Sequence, residues 1–155
     1  MTPINYVTTS PMTALQIFEK AAELLEHQFK REHSFTNAED TKQYLSMKLA
    51  HQEREVFSVL FLDNQHQLIS YQELFYGTID SASIYPREVA KAALQVNAAA
   101  VILAHNHPSG IADPSESDKR ITTRLVEALK LLDIRTLDHI VVGSPCVSFA
   151  ERGLI

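Results

Sequence analysis

The feature that most constrains the fold of this chain is an uninterrupted apolar run that ends directly at a histidine. The run AAAVILA covers Ala98 to Ala104, and the polar sequence HNHPSGIADPSESD follows it. A short apolar run without alternation is typical of a strand that is covered on both faces. We therefore expect a sheet built around this strand, with the polar loop at the strand's end.

Several segments show the spacing of amphipathic helices. Apolar residues recur at intervals near three and four in three segments: 13–33, 38–51 and 121–132. Thr13 is placed to cap the first of them, because its hydroxyl can accept a hydrogen bond from a first-turn amide. Pro86 suits the first turn of a further helix of about three turns, where a missing amide hydrogen costs nothing.

Other segments are rich in β-branched and aromatic residues, which predicts strands. These segments are 55–62, 66–76 and 139–142, with a short extended piece over 81–85. Asp63 and Asn64 favour a turn, so the first two strands should pair as an antiparallel hairpin. Together with the helices, this order predicts an α/β domain.

The length of 155 residues predicts one main domain. A polar break from Glu32 to Asn37 indicates where an N-terminal helical extension, residues 1–36, joins the main domain, residues 37–155. Hydrophobic residues make up 45% of the chain and charged residues 21%, which is typical of a folded globular protein.

Charge and cysteine content restrict the function classes. The net charge of −5 would repel polyphosphates, so nucleic-acid binding is not supported by charge. Every apolar run is too short to cross a membrane, and the first residues do not resemble a signal peptide. The single cysteine, Cys146, cannot form an internal disulfide, which fits a reducing compartment. A cytoplasmic protein is the expectation.

Three residues around the polar loop form a candidate metal site: His105, His107 and Asp118. Two imidazoles and one carboxylate leave a fourth tetrahedral position open, as in catalytic zinc sites, where a bound water has a pKa near about 7. Residues two apart at the end of a strand point the same way, so both histidines can face one point. A helix after the loop would carry Asp118 back toward that point in its first turn.

A zinc hydrolase also needs a group that moves protons. Glu55 is the best candidate, because it begins a strand that can lie beside Ala98 to Ala104. Glu53 is the rival, since it is two positions earlier in an extended chain and points to the same face. Ser115 can donate a hydrogen bond to the oxyanion of a tetrahedral intermediate.

A structural interpretation competes with this one. Ser115 and Asp118 stand three apart before an apolar helix, which is close to a capping box. Ser115 can serve in both roles, but Asp118 is not expected to serve fully as both cap and ligand. His139 is expected to be a packed histidine or one that supports a ligand, and Cys146 an inert thiol.

The loop HNHPSGIADPSESD, preceded by NAAAVILA and followed by LLDIRTLDHIVVG, resembles the RadC-like JAB domain family, which belongs to the JAMM (MPN+) metalloprotease fold. The resemblance extends from about Glu53 to SFAERGL at the C-terminus. An upstream glutamate followed by H-x-H-x7-S-x2-D is matched at every position. The resemblance implies a curved mixed β-sheet flanked by helices, with the cytidine-deaminase-like architecture of JAB/MPN domains, over residues 37–155.

The resemblance also implies residue roles: His105, His107 and Asp118 bind zinc, Glu55 is the general acid/base, and Ser115 supports the oxyanion. The leading hypothesis is a zinc-dependent hydrolase of the JAMM type that cleaves a peptide, isopeptide or related amide bond in a peptide or protein substrate. The alternatives are a DNA-associated accessory protein of the RadC type, related to DNA repair or mobile elements, and a non-catalytic interaction module. The sequence leaves the substrate and the oligomeric state open.

Overall fold

The structure is a computed structural model that describes residues 6–31, 35, 37–78 and 83–155. Over these residues the chain forms four helices and five strands. In chain order they are α1 (Ala14–Arg31), α2 (Ala38–Leu49), β1 (Val56–Leu62), β2 (Leu68–Tyr76), α3 (Pro86–Gln95), β3 (Ala100–Asn106), α4 (Glu116–Lys130), β4 (Arg135–Val142) and β5 (Val147–Ser148).

The strands form one mixed sheet in the order β2-β1-β3-β4-β5. β1 is antiparallel to both β2 and β3, β3 is parallel to β4, and β4 is antiparallel to β5. The parallel pair is connected through α4, as a parallel crossover requires. The structure therefore confirms the predicted α/β class with a mixed sheet flanked by helices, and the sheet is open.

The apolar run forms most of the central strand, but the strand begins two residues later than predicted, at Ala100, and continues through Asn106, so that His105 lies in the strand and not in the loop. The side chains of β3 alternate between two cores. Val101 and Leu103 lie in the core that includes α3 and α4 residues, whereas Ile102 and Ala104 lie in the core that includes α2 residues. Every residue of β3 is buried. Because alternation continues to the strand's end, His105 projects to the α3 and α4 side of the sheet.

Two elements begin earlier than the sequence pattern indicated, and one was missed. α4 begins at Glu116, about a turn before the apolar spacing that starts at Ile121, because a capping box closes its first turn. β4 begins at Arg135, since its polar first residues pair with the start of β3. The two-residue strand β5 carries no periodicity that sequence reasoning could detect.

The predicted hairpin is present, and Asp63 accepts the backbone N–H of Gln65 and Gln67 in its turn. The extended piece expected over 81–85 falls partly outside the described residues, and 83–85 form no strand. The polar break at 32–37 also lies largely outside them, and the boundary at residue 36 stays a prediction. No helix within the described ranges is long and apolar enough to span a membrane.

Candidate metal centre

The two histidines of the candidate site are placed by the end of β3. His105 is the sixth residue of this strand, and the backbone N–H of His107 donates to Val142 at the end of β4. This bond continues the sheet pairing past the strand's end and keeps the chain extended there. The two Nε2 atoms consequently lie 3.1 Å apart.

Asp118 is brought to the histidines by the N-terminus of α4. Its Oδ1 lies 3.2 Å from His105 Nε2, and its Oδ2 lies 3.2 Å from His107 Nε2. Ligand atoms from the three residues all lie within 4.8 Å of one another. His105 and Asp118 are buried, and His107 is partly buried, so the cluster opens to solvent on the His107 side.

The capping box is present as well. Ser115 Oγ accepts the backbone N–H of Asp118 at 3.0 Å, and Asp118 Oδ2 accepts the backbone N–H of Ser115 at 2.8 Å. The same carboxylate closes the cap and faces both histidines, and its full service as both cap and ligand is not tested by these contacts. A carboxylate has two oxygens with several acceptor sites, so one side chain reaches the cap and both histidines.

The proton on His107 is assigned by its neighbour. Its Nδ1 lies 2.8 Å from the backbone carbonyl oxygen of Ile111, which can only accept, so Nδ1 carries the hydrogen. In the neutral ring, Nε2 then carries a lone pair and faces the carboxylate of Asp118. Nε2 of His107 and Oδ2 of Asp118 are then two acceptors 3.2 Å apart, and a cation between them would stabilise the pair. The residues present therefore fit a metal ion.

The electrostatics of the cluster follow from burial and close contact. Burial alone raises the pKa of Asp118, but contact with the rings of His105 and His107, which donate to this carboxylate when they are protonated, outweighs burial and holds that pKa well below its usual range. The pKa of His107 is raised above its usual value because its protonated ring donates to Asp118, against the opposing effect of burial. The ionised carboxylate of Asp118 therefore supplies the negative charge of the cluster.

The two candidate acids lie in different surroundings. Glu55 directly precedes β1, two residues before Phe57, which pairs with His105, and its charge contributes to the raised pKa of His107. Glu55 is partly buried, whereas Glu53 is exposed and lines a separate cavity beside α1. The geometry favours Glu55, and its role as acid/base stays a prediction.

Asn106, between the two histidines, was missed by sequence reasoning. Its side chain points to the other face of β3, where Oδ1 accepts the backbone N–H of Val56 at 2.7 Å. Its Nδ2 donates to the carbonyl oxygen of Arg54 at 3.0 Å. Asn106 thus holds the backbone on both sides of Glu55. The only sequence signal was its position in the motif, which by itself indicates nothing about a partner 50 residues away.

His139, expected as a packed or supporting histidine, is fully buried in β4. Its ring stacks on Phe149 with centroids 4.7 Å apart and meets Phe57 edge-on at 5.7 Å. Its Nε2 lies 2.8 Å from His105 Nδ1, so the ring stands directly behind a candidate ligand. Burial lowers the pKa of His139 well below its usual value, which keeps the ring neutral.

An open mixed α/β sheet that brings an H-x-H pair and an aspartate together at one strand end is the arrangement of a JAB-type domain. A family model for the RadC-like JAB domain matches residues 35–154. The chain belongs to the RadC-like JAB domain family.

Proteins named UPF0758 are similar to this chain over most of its length. One from Vibrio cholerae serotype O1 is 62% identical over 138 residues, which make up 89% of this chain and 87% of that protein. One from Marinomonas sp. (strain MWYL1) is 61% identical over 145 residues, 92% of this chain and 65% of the relative. One from Saccharophagus degradans is 64% identical over 123 residues, which make up 79% of this chain and 55% of that protein. The chain thus spans most of the first relative and little more than half of the last.

Proposed function

We propose that this protein is a zinc-dependent hydrolase of the JAMM type that cleaves a peptide, isopeptide or related amide bond. The observation that carries the proposal is the convergence of two imidazole nitrogens and one carboxylate within 4.8 Å at the end of β3. Three protein ligands with one open side are typical of catalytic zinc sites, whereas structural sites are closed by four. Membership of the RadC-like JAB domain family supports the same class.

In this proposal His105, His107 and Asp118 hold the metal. Zinc suits the set best because it accepts nitrogen and carboxylate ligands in tetrahedral geometry, and when bound it supplies Lewis-acid polarisation and lowers the pKa of water. The backbone carbonyl of Ile111 orients the His107 ring by accepting its Nδ1–H. The capping box orients the carboxylate of Asp118, since the Ser115 N–H binds one of its oxygens.

Glu55 is proposed as the group that moves the proton. A carboxylate two residues before Phe57, the strand partner of His105, would take a proton from the attacking water and return it to the leaving amine nitrogen. Asn106 keeps this carboxylate in place by binding the backbone at Arg54 and Val56. Both histidines are unsuited to this task, because a ring that ligates a metal through Nε2 has no free lone pair.

Ser115 is proposed to stabilise the developing oxyanion. Its Oγ already accepts the amide hydrogen of Asp118, so its own hydroxyl hydrogen is left to donate. Ser115 is exposed beside the cluster, where a substrate carbonyl can reach it. The oxygen of the Ser115 hydroxyl thus caps α4, while its hydrogen donates to the substrate.

The experiment compares Glu55→Gln with Glu53→Gln on a panel of peptides and isopeptides with zinc-loaded protein. We expect E55Q to keep its zinc and to lose at least about 100-fold in kcat, the lower range for general acid–base catalysis. E53Q should keep both zinc and activity, because Glu53 is exposed on the α1 side. Full activity of E55Q would refute the proposed role of this glutamate.

A peptide or protein substrate and a cytoplasmic location are part of this proposal. The acidic net charge of −5 and the single cysteine support them. The alternatives, a DNA-associated accessory protein and a non-catalytic interaction module, stay predictions from the sequence. Failure of all substrates together with a salt-sensitive shift of labelled DNA would favour the first alternative.

A further inference from the structure

A row of buried polar side chains stands behind His105, on the side away from His107. His139 Nε2 lies 2.8 Å from His105 Nδ1, and His139 Nδ1 lies 2.6 Å from Thr122 Oγ1. Thr122 Oγ1 in turn lies 2.6 Å from the backbone carbonyl oxygen of Asp118. His105, His139 and Thr122 are each at most 2% exposed, so their hydrogen bonds are made within the protein and not to solvent.

The direction of these hydrogen bonds is determined at Thr122. A carbonyl oxygen can only accept, so the hydroxyl hydrogen of Thr122 must be donated to Asp118. The hydroxyl has one hydrogen, and its contact with His139 Nδ1 must therefore use a hydrogen from the ring. The opposite assignment would leave two acceptor oxygens 2.6 Å apart with no hydrogen between them.

The position of the hydrogen on the His139 ring then determines which nitrogen of His105 carries a hydrogen. A neutral imidazole with its hydrogen on Nδ1 has a lone pair on Nε2. This lone pair accepts the Nδ1–H of His105, and the neutral His105 ring is left with a lone pair on Nε2. That nitrogen is the one that faces Asp118 and His107.

We infer that Thr122 and His139 are positioning residues that hold His105 in the tautomer with a hydrogen on Nδ1, so that its Nε2 is available to a metal ion. The inference deepens the proposed function and rests on it for the metal. It adds two residues that touch neither the metal nor the substrate. A ligating histidine needs such a partner for its other nitrogen, and loss of the partner typically weakens metal binding 10- to 100-fold.

Three separate elements contribute to this row: α4, β4 and β3. Thr122 lies one turn after Asp118 on α4, so the helix that carries one candidate ligand also carries the first member of the row. His139 is in β4, and β4 is parallel to the strand that carries His105. Phe149 and Phe57 pack on the His139 ring and prevent it from rotating away.

The proton assignment is tested directly by NMR on the metal-free, 15N-labelled protein at about pH 8, above the ordinary histidine pKa. Long-range 1H–15N correlations distinguish protonated from unprotonated ring nitrogens, and a His139→Gln spectrum identifies the signals of His139. We expect His139 to carry its hydrogen on Nδ1 alone. A hydrogen on its Nε2 would overturn the inference.

The consequence for the metal is tested with Thr122→Val, which keeps the shape of the side chain and removes the hydroxyl. We expect zinc affinity, measured by competition with a chelating dye, to fall by up to about 10-fold, the lower end of the effect of a direct partner, because Thr122 acts on His105 only through His139. Thr122→Ser should restore most of the affinity. Thr123→Val is the matched control, because Thr123 also donates to the carbonyl four residues earlier but is exposed and lies away from His139.

The outcomes separate this inference from the proposed function. Zinc affinity of T122V equal to that of the wild type would overturn the inference and leave the metal site standing. If the folded wild-type protein binds no zinc, the proposed function fails, and the histidine spectrum still decides the proton assignment. Thermal unfolding of T122V and T123V shows whether an affinity change exceeds a general loss of stability.

Discussion

At the scale of single residues, the candidate site depends on which nitrogen of each histidine is already occupied. His107 gives its Nδ1 hydrogen to the carbonyl of Ile111, so its Nε2 faces the cluster as an acceptor. The exposed His27 in α1 does not belong to the cluster of possible metal ligands found among the described residues. The difference between a ligand and an ordinary surface histidine is therefore made by its neighbours.

This difference predicts the outcome of two substitutions. His107→Ala should abolish near-stoichiometric zinc binding, because two remaining ligands hold the metal poorly, whereas His27→Ala should retain it. The measurement is metal content by mass spectrometry after zinc loading and dialysis. Equal zinc in both variants would show that the ligand set is wrong.

At the scale of elements, the site depends on how the end of β3 is tied to the start of β1. The side chain of Asn106 is buried and binds the backbone of Arg54 and Val56, the two neighbours of Glu55. β1 and β3 are antiparallel, so the end of one strand and the start of the other share an edge of the sheet. One amide side chain thus links the metal ligands to the proposed proton carrier.

Asn106→Ala should therefore separate metal binding from turnover. The substitution leaves the buried N–H of Val56 without its acceptor, which should cost about 1–3 kcal/mol of unfolding free energy. We expect zinc content to be kept and kcat to fall, since Glu55 loses the contacts that place its backbone. Urea unfolding and metal analysis of the same preparation test both parts, and unchanged stability and kcat would contradict the assignment.

At the scale of the whole molecule, the candidate site and α2 lie on opposite faces of the sheet. Leu45 of α2 is fully buried in the core that includes β1 and β3 residues of that face. Phe35, just before the predicted domain boundary, is buried in the same core. The helices before β1 therefore contribute to the stability of the domain that carries the site.

Leu45→Ala should destabilise the whole molecule by about 2–5 kcal/mol, the cost of a cavity in a packed core. Gln43→Ala, at an exposed position of the same helix, should change the unfolding free energy by less than about 0.5 kcal/mol. Zinc content of the folded L45A protein should be unchanged, because the site is on the other face of the sheet. A loss below about 1 kcal/mol in urea unfolding would show that α2 is dispensable.

Local chemistry and residue spacing were enough to predict several features of this protein. The apolar run predicted the central strand, the proline predicted the start of α3, and the H-x-H pair at a strand end predicted that the two histidines face one point. Each of these follows from the period of a strand or helix, which neighbouring residues reveal. The family resemblance of the loop rests on the same local pattern, and the match over residues 35–154 confirmed it.

Which distant side chains meet follows from the packing of the elements and could not be predicted from spacing. The sequence already favoured Glu55 over Glu53, but the contact of Asn106 with Val56, which spans 50 residues and holds the backbone beside Glu55, is visible only in the fold. The row from Thr122 through His139 to His105 joins a helix and two strands. Contacts across elements depend on register and helix orientation, which are set by packing of the whole core and leave no periodic signal in the sequence.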